Sequence, residues 1–140
     1  LKAREQAAAQ ISEGVDFILH NADKAGLGVF QAVAEARKAG DDVYAFGSNR
    51  DQNHVNPEVI LASAVSDIPK GFVDIARQVE RGEFEGALRT FTLRGGWIHV
   101  VYNPALEDRI PEDVKAAVEA AKEGLRSGAI NLTESGEGSP

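Results

Sequence analysis

Apolar residues follow two different patterns along this chain, one helical and one typical of strands. Apolar positions three or four residues apart indicate amphipathic helices, and short continuous apolar runs indicate buried strands. The first pattern predicts helices over residues 1–13 and 67–81, a helix that ends at Gly40 and a helix from Pro111 to Gly128. The second predicts strands over residues 15–19, 43–46, 59–65, 87–93 and 97–102. Strands that alternate with helices of about a dozen residues predict an α/β fold with a mainly parallel sheet and flanking helices.

An apolar stripe runs along each of the last two predicted helices. Ser66 or Asp67 suits the N-terminus of the third helix, and Pro111 suits that of the fourth. Gly82 and Gly128 stand where these helices should end. The stripe of the third helix consists of Ile68, Phe72, Ile75, Ala76 and Val79. The stripe of the fourth helix, which we expect to be buried, consists of Val114, Val118, Ala121 and Leu125.

The composition of the 140 residues is typical of a soluble globular domain, with 43% apolar and 26% charged residues. It excludes collagen-like, disordered and membrane-spanning classes. The formal net charge of -7 argues against a nucleic-acid partner, which needs a basic face. The absence of cysteine excludes a disulfide, a thiolate nucleophile and Cys-ligated zinc. Because methionine is also absent, Leu1 is not a translation start, and we expect the chain to have been processed or excised.

Two polar loops follow predicted strands, over residues 20–24 and 47–53. In open α/β sheets, ligands bind beyond the carboxyl ends of the strands, which is where these loops should lie. The amide and carboxylate side chains of the second loop, among them Asn49 and Asp51, suit a small hydroxyl-rich ligand because they offer both donors and acceptors. An ordinary solvated turn is the alternative interpretation of that loop.

Motifs for cofactors and catalysis are incomplete. Gly26-Leu27-Gly28 opens a helix after a strand, as a dinucleotide fingerprint does, but Gln31 occupies the place of the third glycine. Glycines that let the helix pack closely on the sheet are the better interpretation. The sequence contains neither a Gly-x-Ser-x-Gly elbow nor a Gly-Lys-Ser/Thr phosphate loop. We therefore expect no cofactor and no enzymatic activity.

Metal-binding patterns are incomplete as well. Asn49, Asp51 and Asn53 alternate as in a calcium loop, but His54 replaces the required glycine and Ile60 the closing glutamate. The three histidines share no metal-ligand spacing, and we expect each to be solvated or hydrogen-bonded instead. The sequence thus predicts no metal site.

An ordered set of short segments resembles the basic membrane protein family of ABC-importer substrate-binding lipoproteins, and is similar to its purine nucleoside receptors. The resemblance extends from Ala3 to Leu132. The segments that carry it are Gly14-Val15-Asp16-Phe17-Ile18, Ala25-Gly26-Leu27-Gly28-Val29-Phe30, Phe46-Gly47-Ser48-Asn49-Arg50-Asp51-Gln52, Val59-Ile60-Leu61-Ala62-Ser63-Ala64-Val65, Tyr102-Asn103-Pro104-Ala105-Leu106 and Ile110-Pro111.

The resemblance implies a flavodoxin-like lobe of a type I periplasmic binding protein, whose two lobes are joined by a three-stranded hinge. Residues 1–133 would form the C-terminal lobe and the segments that cross the hinge, and residues 134–140 a disordered tail. The N-terminal lobe would precede this sequence. Residues 59–65 and 87–93 would be hinge strands, and the helix over residues 67–81 would belong to the other lobe. Without the resemblance, Gly95-Gly96 would suggest a hairpin turn between the last two predicted strands; the hinge interpretation replaces that hairpin.

The resemblance also implies ligand contacts at particular positions of this chain. A ribose-binding aspartate of the family corresponds to Asn49, and a lysine after the hinge strand corresponds to Ser66. The glycine-rich loop near the ligand corresponds to residues 21–24, which brings Asn21 to the site and allows Asp23 to supply the absent carboxylate. Asp51 belongs to the same loop as Asn49.

The function implied is that of a non-enzymatic solute-binding component of an ABC importer, with a nucleoside or similar small polar ligand. Its partners would be that ligand, a membrane permease and the missing N-terminal lobe. The full-length protein would be extracytoplasmic and lipid-anchored. Two alternatives stay open: a ligand-sensing effector domain of a regulator with the same fold, and a flavodoxin-like enzyme or cofactor carrier.

Overall fold

A four-stranded sheet forms the centre of the protein, and the computed structural model describes residues 2–132. The strands β1 to β4 lie side by side in chain order, β1 to β3 are parallel, and β4 runs antiparallel to β3. Their bounds are Phe17–Leu19, Tyr44–Asn49, Ile60–Ser66 and Ile98–Tyr102. The predicted α/β fold with a mainly parallel sheet is confirmed.

Within residues 2–132, four helices flank the sheet, close to their predicted positions. Asp67 caps the third helix, since its Oδ1 accepts a hydrogen bond from the Lys70 backbone N–H at 3.0 Å. Gly128 ends the fourth helix with a φ of 83°, a left-handed conformation that glycine adopts without steric cost. The helices are α1 (Lys2–Ser12), α2 (Gly26–Ala39), α3 (Ile68–Glu80) and α4 (Glu112–Ser127), with short 3-10 turns over Asp23–Ala25 and Glu107–Arg109.

The hydrophobic core lies between one face of the sheet and the pair formed by α1 and α2. An ion pair between Arg4 and Glu35, at 2.7 Å, also joins the two helices on their exposed side. Because side chains alternate across a strand, Ile18 points into this core while Phe17 and Leu19 point to the opposite face. The buried apolar residues of the core are Ala7, Ile18, Val29, Phe30, Ala32, Val33, Val43, Ala45, Val59 and Ile60.

The predicted apolar stripes of α3 and α4 remain largely uncovered in the part of the chain that the structure describes. Phe72 of α3 is 69% exposed, and Val79 is exposed as well. Of the four stripe residues of α4, two are exposed and two are half-buried, so the expectation that this stripe is buried is wrong within residues 2–132. An amphipathic pattern shows that a helix has an apolar face, but whether that face is covered depends on what packs against it.

The strand predicted over residues 87–93 is wrong. This segment has no regular secondary structure, and Leu88 is 99% exposed. The edge of the sheet beside β3 is taken by β4, in a register that sets Ala62 opposite Tyr102, so the segment before β4 does not pair with β3. The hairpin therefore fails, and residues 87–93 do not form the predicted hinge strand. The predicted disordered tail over residues 134–140 lies outside the described residues, and the division into lobe and hinge stays a prediction.

Candidate functional site

The carboxyl ends of the three parallel strands bring the two polar loops to one edge of the sheet. Asn49 ends β2, and residues 20–25 follow β1. The Nδ2 atom of Asn49 donates a hydrogen bond to Oδ1 of Asn21 at 3.4 Å, and both residues are exposed. Two residues that are 28 positions apart in sequence therefore present adjacent amide groups at this edge.

Both loops use backbone conformations that few residue types tolerate. Asn49 has a φ of 68° and Asp23 a φ of 45°. Asparagine and aspartate enter this left-handed region more readily than other residues with a side chain. The residue types at these two positions therefore serve the loop geometry, whatever else they do.

Asp51 and Ser66 lie at the same edge in different settings. Oδ1 of Asp51 accepts a hydrogen bond from the backbone N–H of Asn53 at 3.0 Å, so this carboxylate shapes the turn after β2. Ser66 ends β3 and is half-buried. Because Asn49 is paired with Val65 in the parallel register, Ser66 comes one residue after the position beside Asn49.

Beneath the loops lies a network of polar residues that the sequence reasoning missed. His20 Nε2 lies 3.1 Å from Oε1 of Gln52, and the Gln52 backbone N–H donates to Ser63 Oγ at 3.0 Å. Ser63 Oγ in turn donates to Oδ1 of Asn53 at 2.9 Å, and Nδ2 of Asn53 donates to the carbonyl of Val101 at 3.1 Å. The network therefore runs from the end of β1 to β4. A serine inside the apolar run of β3 was the available clue, because a buried hydroxyl needs partners.

Burial governs the protonation of His20. Removal from water lowers the pKa of the imidazole, although the hydrogen bond to Gln52 and the charge of Asp23 act in the opposite direction. His20 is 5% exposed and contacts the ring of Phe30 edge-on, with centroids 4.9 Å apart. The expectation of a hydrogen-bonded histidine is confirmed for His20.

Both Gly26 and Gly28 are sites of close approach, but only Gly26 faces the end of a strand, as the close-packing interpretation expects. A Cβ atom on Gly26 would lie 2.2 Å from Cε1 of His20, and one on Gly28 would lie 3.1 Å from the backbone N of Arg4. The first glycine thus lets α2 approach the end of β1, while the second lets it approach α1 rather than the sheet.

A cavity of about 770 Å³ lies away from the polar edge, between α4 and the sheet face opposite the core. Apolar side chains dominate its lining, among them Phe17, Phe46 and Val118. Only three polar side chains line it, those of Ser63, Tyr102 and Arg109, whereas a hydroxyl-rich ligand needs a larger set of polar partners. The edge with Asn21 and Asn49 is therefore the better candidate for such a ligand.

Residues 2–132 contain neither a metal-binding cluster nor a membrane-spanning helix. Within this range, no group of three or more His, Asp or Glu side chains is placed so that it could hold a metal ion. None of the helices in the same range is long and apolar enough to cross a bilayer.

Known proteins resemble this chain in sequence and in fold. The family described as ABC transporter substrate-binding protein, PnrA-like, matches residues 1–128. Basic membrane protein A2 of Borrelia garinii subsp. bavariensis is 30% identical over 105 residues, which are 74% of this chain and 30% of that protein. The chain thus spans about a third of the length of this relative.

Two solved structures share the fold at lower sequence identity. An ABC transporter solute-binding protein from Aeropyrum pernix superposes with a TM-score of 0.80 at 19% identity, over 92% of this chain and 43% of that one. A transcriptional activator of the comK gene from Bacillus halodurans gives a TM-score of 0.77 at 20% identity, over 94% and 44%. The resemblance inferred from the sequence is confirmed by the family match, and the chain belongs to the PnrA-like family of ABC transporter substrate-binding proteins.

Proposed function

We propose that this chain supplies one wall of the ligand cleft in a solute-binding component of an ABC importer. The ligand would be a nucleoside or a similar hydroxyl-rich molecule, bound at the edge where the amides of Asn21 and Asn49 meet at 3.4 Å. That contact is the observation on which the proposal rests. Two exposed amides side by side offer two carbonyl acceptors and two NH2 donors, which suit the hydroxyls of a sugar.

The other candidate residues have complementary roles in this proposal. Asp23, two positions after Asn21, would supply the carboxylate that Asn49 lacks. Ser66 would add a hydroxyl from the end of β3, and Asp51 would hold the shape of the loop that presents Asn49, as its bond to the Asn53 N–H supports.

The second lobe, the permease partner and the location of the full-length protein are proposed on the basis of family membership. A second lobe, encoded upstream of this sequence, would close over the ligand, and the closed form would engage a membrane permease. The full-length protein would act without catalysis, outside the cytoplasm and on a lipid anchor. The solved solute-binding protein is more than twice as long as the part matched here, which supports a second lobe.

An effector domain of a regulator is the second candidate. The comK activator superposes almost as well as the importer protein, with TM-scores of 0.77 and 0.80. At this level of identity each likeness concerns the fold alone, so it does not separate the two functions. The family match over residues 1–128 favours the importer.

The test is an NMR titration of the 140-residue chain with inosine, with ribose and hypoxanthine as separate probes. We expect weak, saturable shifts of the side-chain amides of Asn21 and Asn49, because only one wall of the cleft is present. The amide of Asn103 is an internal control, since it is buried and donates to the carbonyls of Pro57 and Ile60. Inosine shifts confined to residues of the apolar cavity, such as Val100 and Val118, would contradict the proposal.

The matched variant is Asn49→Gly rather than Asn49→Ala. Glycine accepts the φ of 68° without strain, so the substitution removes the amide and preserves the loop. We expect inosine affinity to fall roughly tenfold or more, which is the effect of removing one hydrogen-bonding partner. Gln31→Ala, on the exposed side of α2, serves as the control and should leave binding unchanged. Unchanged affinity in Asn49→Gly would show that Asn49 does not contact the probe.

A further inference from the structure

His20 and Gln52 connect the two candidate ligand loops from below. Oε1 of Gln52 receives the backbone N–H of Ser48 at 2.8 Å, which identifies it as the amide oxygen rather than the nitrogen. The same oxygen lies 3.1 Å from His20 Nε2, so this nitrogen must carry a proton and donate. On its other side, His20 Nδ1 accepts the backbone N–H of Ala22 at 3.4 Å. These partners together select the neutral imidazole with its proton on Nε2.

The surroundings hold the ring in this position. On α2, Phe30 contacts the ring edge-on, and the absence of a side chain at Gly26 leaves just enough room for it. Gln52 is held in turn by its backbone bond to Ser63 on β3. The ring therefore has little freedom to turn away from either partner.

We propose that His20 and Gln52 are positioning residues, which hold the loops of Asn21 and Asn49 at the spacing that the ligand requires, and that protonation of His20 releases the turn of Asn21 from the ring. The second proton must go to Nδ1, where the new N–H would point at the N–H of Ala22. Two donors would then face each other, and the turn that carries Asn21 would lose its bond to the ring. This inference rests on the proposed function, because its consequence is that ligand binding weakens in acid.

The charged groups around the His20 ring influence the pH at which it takes up its second proton. Asp23, in the loop after β1, raises the pKa of His20, but burial lowers it more. Directly after α1, Glu13 lines the same small pocket as His20, and Arg50 and Asp51 precede Gln52 in its loop. The α2 residues that contact the ring, Gly26 and Phe30, are uncharged. Because the net shift of the His20 pKa is downward, the bond between the Ala22 N–H and Nδ1 should be lost at a pH below the ordinary histidine value of 6.5.

The first arm of the test needs no ligand and no variant. NMR spectra of the 140-residue chain are recorded between about pH 8 and about pH 5, and the His20 ring, the Ala22 and Ser48 backbone amides and the Asn21 and Asn49 side chains are followed together. We expect all of them to share one midpoint below 6.5. Loop signals that stay constant while the His20 ring titrates would overturn the proposal.

The second arm compares two histidine variants. His20→Gln retains a donor toward Gln52 but does not titrate, so the loop signals should become independent of pH. His54→Gln removes an exposed histidine from the neighbouring loop and should leave the titration of the wild type unchanged. The same loop transition in His20→Gln would mean that another group causes it, and the proposal would be wrong.

The third arm measures inosine affinity of the same proteins at both ends of the pH range. The wild type and His54→Gln should bind roughly fivefold more weakly in acid, as expected for the loss of one hydrogen bond, and His20→Gln should not. Equal affinity of the wild type at both pH values would overturn the link to binding. Absence of inosine shifts at every pH would contradict the proposed function instead, while the first arm would still decide whether His20 connects the loops.

Discussion

The indole Nε1 of Trp97 donates a hydrogen bond to Oδ2 of Asp74 at 2.8 Å, and this bond ties α3 to the chain segment before β4. Nζ of Lys70 binds the same carboxylate oxygen at 2.7 Å. Phe91 packs edge-on against Trp97 and comes so close to Gly71 that a Cβ atom there would lie 2.4 Å from its ring. Because most of the apolar stripe of α3 is exposed, this cluster is an important attachment of the helix within residues 2–132.

The first prediction concerns the pH dependence of this attachment. The hydrogen bond from Lys70, and then that from Trp97, lowers the pKa of Asp74. A carboxylate with a lowered pKa stabilises the fold fully above its ordinary value and loses that effect as the pH falls through the folded value. The indole N–H resonance of Trp97 should therefore shift with a midpoint below 3.8. Asp74→Asn should abolish the transition, and a midpoint above 3.8 would contradict the geometry.

The second prediction tests the contact between α2 and His20. Gly26 has an ordinary helical φ of −56°, so Gly26→Ala meets no backbone strain, but the added Cβ would lie 2.2 Å from the buried ring. Overpacking of this kind costs about 1–3 kcal/mol. Urea unfolding should show that loss for Gly26→Ala, whereas Gly86→Ala, with nothing within 4 Å of its Cβ, should change the free energy of unfolding little. Equal stability of the two variants would refute the close approach.

Much of the fold could be predicted from local patterns. Pro111 and Gly128 mark the ends of a helix by their own backbone preferences, and the parallel-sheet rule predicted that the loops of Asn21 and Asn49 share one edge. The strand prediction for residues 87–93 was wrong because apolar residues alone do not make a strand: a strand must also pair with a neighbour, and the place beside β3 is taken by β4. Competition between two segments for the same place in a sheet cannot be predicted from the sequence of either segment alone.

The polar network beneath the site was beyond sequence reasoning for a different reason. The partners His20 and Gln52 are 32 positions apart, and their contact depends on the register of β1 and β2 and on the room left by Gly26. The residue type alone does not show whether a histidine is buried or exposed. The sequence allowed only the general prediction that a polar residue at the end of a buried strand needs a hydrogen-bonding partner.

The third prediction concerns Ser63, whose hydroxyl stands in the middle of that network. It accepts from the Gln52 N–H and donates to Oδ1 of Asn53, and the residue is fully buried. Ser63→Ala leaves both partners unsatisfied in the interior, which costs about 1–3 kcal/mol. Thermal or urea unfolding measures this loss. Ser12→Ala, which removes an exposed hydroxyl bonded to the carbonyl of Ala9, is the control and should have a much smaller effect.

The fourth prediction uses Asn49→Asp to ask which residue supplies the carboxylate of the proposed site. Aspartate tolerates the φ of 68°, so the loop should be retained. The new carboxylate oxygen would replace the NH2 group that now donates to Oδ1 of Asn21, and it would carry a negative charge close to the loop of Asp23. We expect inosine binding by the 140-residue chain to weaken by about 1 kcal/mol, or roughly fivefold, because two carboxylates at one ligand repel each other.

The double variant Asp23→Asn with Asn49→Asp makes this test decisive. Asparagine accepts the φ of 45° at position 23, so the exchange moves the charge from one loop to the other without changing either backbone. If Asp23 binds the ligand, the double variant should regain most of the affinity that Asn49→Asp loses, and the two substitutions should be non-additive. The loss in Asn49→Asp should also shrink at high salt, since it arises between exposed charges. Stronger inosine binding by Asn49→Asp itself would show that Asp23 takes no part and that position 49 is where the carboxylate belongs.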